Sequence, residues 1–75
     1  MTEEMVAIEL SQAEALVLFD LLARFDKDEK IEIEHQAEER VLWNIHCSLE
    51  KILVEPFKPD YRELLTRARN QVADQ

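Results

Sequence analysis

The chain has no glycine among its 75 residues. Glycine is the usual residue for left-handed helix caps, primed hairpin turns and loops that wrap phosphate. P-loop and dinucleotide-binding fingerprints both require it and are excluded. Cysteine is nearly as scarce: Cys47 stands alone, so no intrachain disulfide forms. No apolar run approaches the ~20 residues that span a bilayer. Met1-Thr2-Glu3-Glu4 supplies neither the basic nor the apolar region of a secretory signal. These features fit a reducing, cytoplasmic setting. Bases are in the minority, 9 Lys and Arg against 17 Asp and Glu, for a net charge of −8. That balance argues against a nucleic-acid backbone or an anionic membrane as partner, because both recruit Lys/Arg patches.

What remains is 47% apolar and 35% charged, the composition of a folded chain rather than a disordered one. Residues 1–75 read as one small helical domain, with 1–4 and 74–75 frayed. A core of this size is marginal without a disulfide, and self-association is the remaining way to enlarge it.

The spacing predicts a mainly α, three-helix domain. Val6, Ile8 and Leu10 alternate with Ala7 and Glu9, which suits a short strand over 6–10 or an extended tail laid across a helix. Ser11-Gln12-Ala13-Glu14 is a capping box that opens a helix over about 12–25. Leu16, Val17, Leu18, Phe19, Leu21, Leu22, Ala23 and Phe25 cover most of its circumference, and Asp20 and Arg24 mark its one wet strip. A helix apolar almost all round belongs at a core centre or at a homodimer interface. Residues 26–40 are a charged connector summing to −4, in which Ile31-Glu32-Ile33 suits a second short strand (31–33) or the start of the next helix.

That next helix, over about 34–54, should be the longest. Ala37, Val41, Leu42, Ile45, Leu49, Ile52 and Leu53 recur at three- and four-residue steps as one stripe. Glu55-Pro56 should close it. Pro59-Asp60 then opens a third helix, about 60–73, with Tyr61, Leu64, Leu65, Ala68 and Val72 as its stripe. Charge divides along the chain. Residues 1–38 hold 11 acids and 3 bases, while 39–75 hold six of each, so one end of the molecule should be markedly acidic.

Few constellations carry chemistry. A calcium loop starting at Asp26 fails at Lys30, Ile31 and Ala37, which stand where a ligand, a glycine and a bidentate Glu belong. His35, Glu39 and His46 are the best metal-like set. His35 and Glu39 lie one turn apart, but the two histidines are ~16 Å apart along a helix axis. One ion would therefore need an antiparallel partner helix across a dimer. Cys47 beside His46 points ~100° away from it, which makes a small buried thiol the simpler reading. Trp43, Phe57 and Tyr61 cover the end of the core, or else form an aromatic anchor for a partner.

The runs Glu14-Ala-Leu-Val-Leu-Phe-Asp-Leu-Leu-Ala-Arg24, Ala37-Glu-Glu-Arg-Val-Leu-Trp43, Leu49-Glu-Lys-Ile-Leu-Val-Glu-Pro-Phe57 and Pro59-Asp-Tyr-Arg-Glu-Leu-Leu65 resemble small bacterial proteins to which no activity is attached. The resemblance spans roughly residues 11–65. It implies a bacterial, stand-alone domain and brings no site residues with it.

The expected function is a non-enzymatic protein–protein interaction module that acts as a homodimer, its acidic half directed at a basic protein surface. Immunity proteins, antitoxins and nucleic-acid mimics use charge in this way, an analogy from charge alone. The expected interface is Leu18, Phe19, Leu22, Phe25, Trp43, Phe57 and Tyr61. No cofactor is implied. Two alternatives stand beside it: a metal-binding protein whose His35, Glu39 and His46 site is shared across the dimer, and a structural subunit whose role is assembly.

Overall fold

A computed structural model describes residues 4–28 and 32–74, with the backbone alone over 26–28. The order is α1 (Gln12–Asp28), α2 (Gln36–Ile52), a 3-10 turn (Glu55–Phe57) and α3 (Tyr61–Ala73). α1 lies between the other two and packs extensively on both; α2 and α3 touch each other little.

Each helix begins where local chemistry satisfies its free amides. At α1 the capping box forms in both directions. The Ser11 hydroxyl accepts from the Glu14 amide at 3.0 Å, and the Ser11 amide donates to Glu14 Oε1 at 2.8 Å. At α2 the cap is His35, extended at φ −146 and ψ 143, whose Nδ1 accepts from the Ala37 amide at 2.9 Å. One residue earlier, the Glu34 amide donates to Glu38 Oε1 at 2.9 Å. α3 follows the Pro56–Pro59 connector, and the Asp60 carbonyl accepts from the Glu63 and Leu64 amides.

Leu16 and Leu22 of α1 meet Leu49 and Leu53 at the end of α2 and Leu65 and Ala68 of α3; with Phe25 of α1 these are the buried side chains among the described residues. Ala13, Ala15, Val17, Leu18 and Phe19 are partly buried against this core, as are Leu42, Tyr61 and Leu64. α1 is thus central, as its composition requires, and its own two neighbours cover most of it.

Three expectations need correction. Residues 6–10 form no strand, and Val6 and Ile8 are 91% and 76% exposed. A strand must hand its amides and carbonyls to a second strand, and none exists among the described residues. For the expected strand over 31–33, Ile31 lies outside the described residues, and Glu32 and Ile33 are irregular backbone leading to the His35 cap. The middle helix is not the longest either. α1 and α2 have 17 residues each. Charged residues 26–28 carry α1 past Phe25, while α2 starts only after His35 and stops when Leu53 turns extended, at φ −80 and ψ 136.

The packing is open. The chain exposes 6574 Å², where a compact monomer of its mass exposes about 4800 Å². Its radius of gyration is 13.8 Å, against ~11 Å for a compact chain of this length. The exposed N-terminal segment contributes, and so does a row of apolar side chains on α2 that is only partly covered.

Truncating the central contact should be costly. Leu22→Ala is expected to lose about 2–5 kcal/mol of folding stability. Ser11→Ala should lose about 1 kcal/mol through the α1 cap alone. Urea unfolding followed by circular dichroism measures both. A Leu22→Ala loss no larger than that of the cap would contradict the core described above.

Candidate functional site

α2 positions most of the exposed functional chemistry, on two opposite flanks. Its buried row is Leu42, His46, Leu49 and Leu53, at steps of four, three and four. Leu49 and Leu53 are buried, and Leu42 and His46 half-buried. One residue out of phase runs a second row with the same steps: Val41, Ile45, Ser48 and Ile52. Val41, Ile45 and Ile52 are 54%, 37% and 74% exposed. Val54 and Phe57 prolong this apolar character beyond the helix end at 58% and 72% exposed.

Trp43 lies ~200° around the helix from both Val41 and Ile45, on the other flank. There a cleft of about 660 Å³ opens between the C-terminal half of α1 and the N-terminal half of α2. Leu22, Phe25 and Leu42 give it an apolar floor, while His35, Glu39, Arg40 and Trp43 lie along its α2 side. Trp43 is 52% exposed. The Arg40 guanidinium sits 6.0 Å from the Trp43 ring centroid, at the outer limit of a cation–π contact. His46 also lines the cleft, and its ring lies 4.9 Å from that of Phe19, tilted by 51°.

The three metal-like residues, His35, Glu39 and His46, therefore border one cleft. No group of three or more His, Cys, Asp or Glu side chains is placed to hold one ion among the described residues. His35 shows why proximity is not enough. Its Nδ1 lone pair is engaged by the Ala37 amide, which leaves Nε2 as the protonated nitrogen of the neutral ring. Cys47 is a half-buried free thiol.

The expected interface set divides. Leu22 and Phe25 are buried within the chain, and Leu18 and Phe19 pack partly against the core. Trp43 and Phe57 face outward, and Tyr61 is half-buried. Tyr61 belongs to a polar clamp between α1 and α3. Asp20 Oδ2 accepts from Arg24 Nε at 2.9 Å and from an Arg69 guanidinium nitrogen at 2.8 Å, and the Tyr61 hydroxyl donates to Oδ1 at a long 3.4 Å. Burial holds the Tyr61 phenol above its ordinary value of 10.0. The adjacent Asp20 charge and the hydrogen bond to it act in the same direction, and Arg69 and Arg24 oppose them.

Sequence reading missed Arg69 as a partner of Asp20, since 49 positions separate them and nothing local signals the pairing. It also merged the two α2 rows into one stripe. The signal was present: seven apolar positions make a stripe wider than one helix contact covers.

No helix among the described residues is long and apolar enough to cross a membrane. No protein-family model, curated protein or solved structure matches the chain.

The clamp yields a pH prediction. The folded state favours neutral Tyr61, so its contribution is intact below pH 10.0, the unfolded value, and is lost as pH rises through the higher folded value. Tyr61 is the only tyrosine, so tyrosinate absorbance follows it directly. Its titration should lie above that of the urea-unfolded chain, and Asp20→Asn should lower it while costing about 1–2 kcal/mol of stability. Identical folded and unfolded titrations would remove the clamp's role.

Proposed function

We propose that the protein is a non-enzymatic protein–protein interaction module that acts as a homodimer. The supporting observation is the Val41, Ile45, Ser48, Ile52 row. In a chain with 35% charged residues, it holds no charge and lies open on a helix whose other side is already packed.

The row is self-complementary. Its steps of four, three and four are the spacing of a helix–helix seam. Turning a second α2 antiparallel about a twofold sets Val41 against Ile52 of the second copy and Ile45 against its Ser48. An isologous interface has this reciprocity by definition. Antiparallel helices also oppose their macrodipoles favourably. The exposed area leaves room for such an assembly, since the chain's excess over a compact monomer is about 1800 Å², part of it from the N-terminal segment, and a standard interface buries about 800 Å² per partner. The interface proposed is therefore on α2 rather than on α1, whose central side chains the monomer already covers. A basic surface on another protein remains the heterologous partner that the charge of −8 favours.

Light scattering after size exclusion, across a dilution series, tests the assembly. The expected mass is twice the 8.9 kDa chain. Ile52→Glu and Ile45→Glu should each weaken association about tenfold or more with the helical circular dichroism retained. A monomer at every concentration would refute the dimer. So would a dimer indifferent to both substitutions but abolished by removing residues 1–9, which would assign the contact to the N-terminal segment.

A further inference from the structure

We infer that the cleft between α1 and α2 is a second, separate binding site, and that it seats an apolar side chain carried on a Lys/Arg-rich segment of another protein. The inference rests on the interaction-module reading and names the chemistry of its heterologous partner.

The shape of the cleft argues for an apolar anchor. Its volume of about 660 Å³ falls within the range of ~300–1000 Å³ that specific pockets occupy. Its floor is firm, because Leu22 and Phe25 are 2% and 7% exposed and belong to the core. An incoming leucine- or phenylalanine-sized group would displace water chiefly from half-buried Leu42 and half-exposed Trp43, above a floor that Leu22 and Phe25 keep closed. Trp43 stands at this site half exposed, the residue type most enriched where binding energy concentrates.

Charge argues for what surrounds the anchor. The cleft takes in the start of α2, and residues 32–39, which lead into and begin that helix, carry four acids and no Lys or Arg. Glu32, Glu34, Glu38 and Glu39 of this stretch are exposed, and Glu39 lines the cleft itself. Arg40 is the one cation lining the cleft among the described residues, beside Trp43. A cationic segment would gain Coulomb energy along this rim, and an acidic one would be repelled. The proposed dimer row lies on the opposite flank of α2, so self-association leaves the cleft open.

Trp43 is the sole tryptophan, and its emission therefore reports on the cleft. The probe is a synthetic twelve-residue peptide, Lys-Leu-Leu-Lys repeated three times, compared with its Glu-for-Lys and Ser-for-Leu counterparts. The Lys/Leu peptide should shift Trp43 emission to the blue and saturate. Its affinity should fall about tenfold between ~50 and ~300 mM salt, as screening shortens the reach of the rim charges. Both counterparts should be inert. Glu39→Lys, on an exposed position, should weaken binding about fivefold or more. Ala37→Phe should fill the mouth and abolish binding with circular dichroism unchanged. Ile52→Glu should leave it intact, so failure of the dimer and failure of the cleft are read separately. No emission shift, an equal response to the acidic peptide, or binding unchanged by both cleft substitutions would overturn the inference.

Discussion

One helix with apolar residues on nearly every side must be hidden by a chain long enough to supply only two others. α1 resolves this by lying between α2 and α3. Leu16 and Leu22 take the deepest positions, with Leu49 and Leu53 arriving from α2 and Leu65 and Ala68 from α3. Because both partners are spent on α1, they have little contact with each other. The arrangement buries the greasiest segment and leaves α2 covered on one side only. The exposed surface of 6574 Å² follows from that division of labour, together with the exposed N-terminal segment.

The one polar strip on α1 has a second use. Asp20 and Arg24 are spaced as an ordinary one-turn ion pair, which in solution contributes little. Asp20 is different because α3 brings Arg69 and Tyr61 to the same carboxylate, and its side chain is only 16% exposed. Half-enclosed and shared among three donors, it fixes the rotation of α3 against α1, which apolar contacts alone leave loosely specified. Leu65 and Ala68 then meet the core while Arg62, Glu63 and Arg67 remain in water.

Local signals were read well where their physics is local. The Ser11–Glu14 box, the α3 stripe and the stop before Pro56 all depend on neighbours within a few residues, and all appear in the structure. The short strands did not, because period-two apolarity states only that a strand is possible, while its existence needs a partner elsewhere in the chain. The start of α2 moved because a histidine cap is not among the side chains usually expected there, although its Nδ1 accepts an amide as a Ser or Asp oxygen does. The cleft was legible only in part. His35, Glu39, His46 and Trp43 drew notice as separate chemistries, yet what joins them is the gap beside Leu22 and Phe25, a property of how two helices diverge.

The two rows on α2 suggest how the proposed activities combine. An antiparallel pair joined through the Val41–Ile52 row would hold the N-terminal halves of α2, and with them the clefts, at opposite ends of a seam ~17 Å long. A dimer of this kind is bivalent. A partner presenting two cationic segments at that separation would gain effective concentration at the second contact without any new chemistry. Glu39 lines each cleft and Glu34 and Glu38 lie exposed at the same end of α2, so the two negative ends would lie apart and self-repulsion across the seam would be reduced. In the proposed assembly the uncharged row would sit where two copies meet, and the excess of negative charge where a different molecule would arrive. That separation would let one helix serve both contacts without either opposing the other.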